Sequence, residues 1–234
     1  MRAVPEDIVL LHGFTQTGAS WEPVIRALGP RYRALAPDLG GGPWSAEVAR
    51  LGAMLAPATA LAGYSLGGRL ALAVALDRPE RVHDLVLVSS SPGLADPAER
   101  AARRQADEAL AERIEALGVE AFAREWAAQP LFSGQPPEVA AAAHADRLRR
   151  GAGALAAQLR GLGAGAMPSL WERLGELAAP VTLLVGERDE KFRALAADMA
   201  GRLSRARVIV VPGAGHQLPL EAPGAVATAI AGPR

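Results

Sequence analysis

A serine hydroxyl is inert near neutral pH unless a base takes its proton and a third group holds that base in the right tautomer. Gly63-Tyr64-Ser65-Leu66-Gly67 has the G-x-S-x-G spacing that sets such a serine on a sharp strand-to-helix turn. An apolar run, Thr59 to Ala62, leads into it and a helical pattern, Leu66 to Leu76, leads out. Gly63 and Gly67 keep side chains out of a turn where they would collide with neighbouring elements, and Gly68 adds further room. Upstream, Leu11-His12-Gly13-Phe14 closes another apolar run. The backbone N–H groups of Phe14 and Leu66 are the expected oxyanion donors, and His12 is expected to brace its loop rather than to react.

The partners of Ser65 must lie downstream. Gly213-Ala214-Gly215-His216 follows the apolar run Val208 to Val211, so His216 sits on a loop placed to reach the serine. His83 falls in an expected helix-to-strand connection and His144 in a helical stretch, and neither has that placement. Gly186-Glu187-Arg188-Asp189 follows the run Val181 to Val185 and supplies the acid. Asp189 is the expected member, with Glu187 and Glu190 beside it as alternatives. The resulting order, serine, acid, histidine, is the one that accompanies this kind of serine turn.

These residues need a scaffold that brings strand ends together. Short β-rich runs recur at Ile8 to Leu11, Tyr32 to Ala36, Thr59 to Ala62, Leu85 to Ser89, Val181 to Val185 and Val208 to Val211. They read as buried parallel strands. Helical stretches between them, at Trp21 to Leu28, Ser45 to Leu55 and Leu66 to Leu76, give the alternation of a doubly wound α/β sheet. Residues 96–165 break the alternation, being rich in Ala, Arg and Glu with no convincing strand. They are expected to form a helical lid inserted in a core of residues 1–95 and 166–234, a single domain. The Ala and Gly bias from Gly151 to Gly165 suggests loop. Only seven residues precede the first run, so antiparallel edge strands should be reduced or missing at the N-terminal side.

Composition narrows the function. The 234 residues are half apolar, with 25 basic against 25 acidic side chains, so no global charge calls for nucleic acid or a membrane surface. Cysteine is absent, which removes disulfides, thiolate metal sites and a cysteine nucleophile and fits a cytoplasmic setting. Residues Met1 to Asp7 lack the basic and apolar pattern of a signal peptide, and no apolar run approaches the roughly 20 residues that span a bilayer. The sequence sets no oligomeric state.

The residues around these motifs carry a narrower resemblance. Tyr64 to Leu72 with Leu11 to Phe14 resembles the 2-succinyl-6-hydroxy-2,4-cyclohexadiene-1-carboxylate synthases of menaquinone biosynthesis, members of the α/β-hydrolase superfamily. The stretches Arg103 to Ala111, Trp126 to Phe132, Gly163 to Trp171 and Gly186 to Phe192 are similar to that family in order and spacing, and Glu221 in Leu220-Glu221-Ala222-Pro223 fits its ending. Two stretches depart from it. Asp38 to Pro43 lacks the family's usual proline and histidine, and Arg149-Arg150-Gly151 replaces an Asn-rich stretch.

The resemblance implies an α/β-hydrolase fold and elimination of pyruvate from a substrate bearing several carboxylates, with no metal or organic cofactor. Guanidinium groups suit carboxylates better than ammonium groups do, and all basic side chains here except Lys191 are arginines. Arg69, Arg103 and Arg147 occupy the matching positions for substrate binding, and Tyr64 and Trp126 are candidates to line the pocket. Another enzyme class could use the same triad: a small-molecule esterase or carbon-carbon bond hydrolase acting through an acyl-serine. A silent ligand-binding protein on this fold is a third reading, disfavoured by an intact triad.

Overall fold

The computed structural model describes residues 5–232, so the expectation about residues 1–4 lies outside the described residues. Six strands form one sheet: β1 (Glu6–Leu11), β2 (Tyr32–Leu35), β3 (Thr59–Tyr64), β4 (Val82–Val88), β5 (Val181–Gly186) and β6 (Ala206–Val211). Their order is β2-β1-β3-β4-β5-β6, and every pairing is parallel. No antiparallel strand flanks them among the described residues. β3 and β5 are buried along their whole length, which is why they read as unbroken apolar runs.

Alternation along the strands builds two cores, one on each face. Val9, Leu11, Leu61, Leu85 and Leu87 pack against α2 (Trp44–Met54), α3 (Leu66–Asp77) and α7 (Glu190–Ala200). Ile8, Leu10, Ala62, Val86 and Val88 face the other way, toward α1 (Glu22–Leu28) and α9 (Pro223–Ala231). The six parallel strands therefore end at one edge of the sheet, and the β1, β3, β5 and β6 ends carry the loops singled out above.

Between β4 and β5 lie α4 (Pro97–Ala127), α5 (Pro137–Arg147) and α6 (Ala152–Leu162), joined by a short 3-10 turn at Pro130–Phe132. They share a small core of their own, Ala111, Ile114, Phe122, Leu155, Ala156 and Leu159, against which Phe14 and Trp126 pack. α4 breaks at Gly118, whose φ of 75° is left-handed backbone that a side chain resists.

Two local expectations are corrected. The Ala- and Gly-rich stretch after Gly151 is α6, not loop. Gly161 serves packing, since a side chain there would strike the Gly41 and Gly42 carbonyls, and one at Gly41 would strike α6 at Ala157. His83 lies inside β4, exposed beside Asp84, because after buried Val82 that strand has two solvent-facing polar residues before its apolar run begins.

Candidate active site

Ser65 stands between β3 and α3 with φ 52° and ψ −109°, a strained conformation for a residue with a Cβ. The turn is held by the Ser65 N–H donating to the Val88 carbonyl (2.9 Å) and by the Ser90 hydroxyl donating to the Ser65 carbonyl (2.9 Å). Side chains at Gly63 and Gly67 would run into the Gly67 and Leu11 carbonyls respectively, so both positions require glycine. Leu66 opens α3, and its N–H, like that of Phe14, has no acceptor among the described residues. That leaves both expected oxyanion donors free for a ligand.

His216 and Asp189 meet Ser65 from the loops after β6 and β5. The carboxylate Oδ2 of Asp189 accepts from His216 Nδ1 at 2.7 Å, which leaves Nε2 as the acceptor facing Ser65 Oγ at 3.3 Å. Both His216 and Asp189 are buried, and the imidazole is flanked by the rings of Phe192 (4.6 Å between centroids) and Tyr64 (5.3 Å). The alternatives for the acid are directed elsewhere: Glu187 accepts the Gly213 N–H at 2.8 Å, and Glu190 is an exposed first residue of α7. His12 braces its loop, its Nε2 accepting the Leu39 N–H (3.0 Å) while Nδ1 faces the Gly13 carbonyl (2.8 Å). Burial lowers its pKa from 6.5 to about 4, which keeps it neutral in that role.

The arginines differ from one another. Arg69, one turn into α3, reaches only the Met167 sulfur at 3.5 Å. Burial, reinforced by the neighbouring positive charge of Arg103, lowers its pKa from 12.5 to about 10. Arg147, 3% exposed, donates to Thr15 Oγ1 (3.1 Å) and the Ala123 carbonyl (3.4 Å), and burial likewise lowers it to about 10. Neither forms an ion pair with a carboxylate among the described residues. Arg103 is half exposed and already tied to Asp107 at 2.7 Å, so a ligand must share it or draw it away.

The two aromatic candidates also separate. Tyr64 is buried at the end of β3 with its ring against Gly13, and burial together with Asp189 and Glu221 holds its hydroxyl neutral, with the pKa well above 10. Trp126 is half-buried and meets Phe14 edge-on at 5.1 Å, within an aromatic group completed by Phe122 and Phe132.

Sequence reasoning passed over several supporting groups. Asp146 on α5 accepts the Thr17 N–H (2.9 Å) and hydroxyl, docking the inserted helices on the Phe14 loop. Gln135 and Gln217 join side chains across the same cleft at 2.8 Å. Each is an ordinary polar residue in sequence, and only its burial against a distant segment marks it.

No helix among the described residues is long and apolar enough to cross a membrane, and no cluster of three or more His, Asp and Glu there could hold a metal ion.

A serine on a strand-to-helix turn, a buried histidine-aspartate pair and two free amides at one end of a parallel sheet define a serine-triad enzyme of the α/β-hydrolase class. The family model described as the alpha/beta hydrolase family matches residues 8–229, and the chain belongs to that family. Within it, the chain belongs with the 2-succinyl-6-hydroxy-2,4-cyclohexadiene-1-carboxylate synthases. It is 38% identical over 237 residues to the Bacillus subtilis (strain 168) protein assigned that activity, covering 93% of this chain and 86% of the relative. Identity to the synthase of Enterobacter sp. (strain 638) is 33%, covering 96% and 90%. The solved structure of MenH from S. aureus superimposes with a TM-score of 0.93 at 29% identity, covering 98% of this chain and 94% of that one.

Proposed function

We propose that the protein converts 2-succinyl-5-enolpyruvyl-6-hydroxy-3-cyclohexene-1-carboxylate into 2-succinyl-6-hydroxy-2,4-cyclohexadiene-1-carboxylate and pyruvate, as its relatives are named to do. The observation that carries this reading is the pairing of a complete triad with two guanidinium groups, one buried at Arg147 and one partly buried at Arg69, that form no ion pair among the described residues. A polycarboxylate substrate supplies the missing anions.

In this reading Ser65 Oγ passes its proton to His216 Nε2 and takes a proton from the ring, while Asp189 stabilises the imidazolium. The released electron pair forms a new ring double bond and the carbon-oxygen bond to the enolpyruvyl group breaks. Pyruvate leaves as its enolate and is reprotonated. The step is redox-neutral and calls for neither metal nor organic cofactor. Arg69, Arg103 and Arg147 hold carboxylates, Tyr64 and Trp126 wall the pocket, and the Phe14 and Leu66 amides stabilise negative charge as it develops on oxygen. Residues 96–165 act as a lid over a core of residues 1–95 and 166–234, consistent with the packing of Trp126 on Phe14 and the Asp146 bond to Thr17.

The free amides of Phe14 and Leu66 also suit a tetrahedral intermediate, which favours the esterase or carbon-carbon hydrolase reading as the competitor. Pyruvate release from the enolpyruvyl substrate, generated in place by the preceding enzyme, separates the two. The expected result is rapid release that is lost in Ser65→Ala and Arg103→Ala. No release by the parent, with ester turnover that Ser65→Ala abolishes, overturns it.

A further inference from the structure

Five residues beyond His216, at the end of α8 (Leu218–Glu221), stands a carboxylate that the reaction does not consume. The Glu221 side chain is 3% exposed. Its Oε2 accepts the Gly215 N–H at 2.6 Å and its Oε1 accepts the Gln217 N–H at 2.9 Å, so the two oxygens grip the backbone on both sides of His216. The same Oε2 pairs with Arg188 Nη2 at 3.1 Å, and Arg188 is the residue next to Asp189. Arg188 also donates to the Gly134 carbonyl at 2.7 Å, and Gln135 reaches Glu221 Oε1 at 3.4 Å.

A buried carboxylate accepting two amides makes strong, directional bonds. Here both amides belong to the neighbours of the triad histidine. The chain turns back through Leu218-Pro219-Leu220 to bring the carboxylate under its own loop. Gly215 and Gln217 thus have fixed heights, and the imidazole between them has one direction of approach to Ser65. That distance is 3.3 Å, at the long edge of a working hydrogen bond, so small displacements of the loop break it.

We infer that Glu221 is a positioning residue: its carboxylate clamps the Gly215 and Gln217 amides and thereby sets His216 against Ser65, while Arg188 carries the same restraint to the Asp189 loop. The inference rests on the proposed role of the triad, and it extends that role to a residue that touches neither substrate nor the reacting atoms. No shorter or neutral side chain reproduces the clamp. Aspartate falls short by one methylene, and glutamine turns an NH2 group toward one of the amides.

Two readouts test it on Glu221→Ala, Glu221→Gln and Glu221→Asp. One is kcat and KM for pyruvate release. The other is the rate at which a fluorophosphonate modifies Ser65, which depends on His216 but not on the enolpyruvyl substrate. For Glu221→Ala both kcat and the modification rate should fall about 100-fold with KM held within about threefold, and Glu221→Asp should recover part of both. Circular dichroism checks that each variant is folded, and if Glu221→Ala does not fold, the Gln and Asp variants carry the same comparison. Rates within about threefold of the parent in folded variants overturn the inference, as does a rise in KM alone with Ser65 modification unchanged. Should the parent release no pyruvate while Ser65 modification still depends on Glu221, the positioning role stands and the proposed activity falls.

Discussion

The triad loops and the candidate arginines Arg69 and Arg147 are built on opposite terms. Around Ser65, His216 and Asp189 the polar contacts close within the chain: carboxylate to imidazole, imidazole to hydroxyl, Glu221 to the flanking amides. At Arg147, which is buried, and Arg69, which is partly buried, the contacts are a hydroxyl, a carbonyl and a sulfur. Burying a guanidinium without a counter-charge costs stability, which a protein keeps only where something is gained by it. The triad side is therefore finished within the chain, and the arginine side keeps hydrogen-bonding capacity open, which the proposed function assigns to the substrate.

Removing the finished side should have the largest effect. Ser65→Ala is expected to lower kcat for pyruvate release by about a thousandfold or more with KM little changed, since no neighbouring group replaces the hydroxyl. Asp189→Asn comes next. It leaves the shape intact but permits the wrong imidazole tautomer, and a loss of kcat on the order of a hundred- to a thousandfold is expected, together with slower phosphonylation of Ser65. Equal rates for Asp189→Asn and parent would show that the triad is not the finished half.

Removing the unfinished side should read differently. Arg69→Met is expected to raise KM about 10- to 100-fold, the worth of a charge-assisted contact, while thermal unfolding shows little change in stability because the partly buried guanidinium forms no ion pair. Lower stability accompanied by an unchanged KM would break the comparison, marking Arg69 as structural.

The smallest effect concerns the brace beneath the Phe14 loop. His12 has a folded pKa near 4 against 6.5 when unfolded, so between those values the unfolded chain binds more protons. Stability contributed by neutral His12 is thus fully present above about pH 6.5 and is lost as pH falls toward 4, by about 3 kcal/mol in all. Urea unfolding across that range, compared with His12→Gln, measures it. A His12→Gln variant with the same acid slope as the parent assigns the loss to other groups.

Local pattern was enough for some parts of the molecule and insufficient for others. Ser65 was legible because an elbow needs glycines at fixed offsets between a strand and a helix, and all of those signals are adjacent in sequence. The central strands were legible because both faces of the sheet are covered there, making β3 and β5 apolar runs buried along their length. β4 was read short because His83 and Asp84 face solvent at its start. α6 was read as loop because its glycines are helix-weakening in isolation. Gly161 sits where the Gly41-Gly42 backbone presses against the helix, a contact between residues more than a hundred positions apart.

By itself the sequence determined the class of sheet, the serine turn, the order of serine, acid and histidine, and a basic complement made almost wholly of arginine, because each depends on neighbours or on composition. Which acid meets His216, which arginines lack a counter-charge, and that Glu221 holds the amides beside His216 were decided only by the tertiary structure. Those properties are distances between side chains and backbone groups set by packing, and no spacing along the chain fixes them.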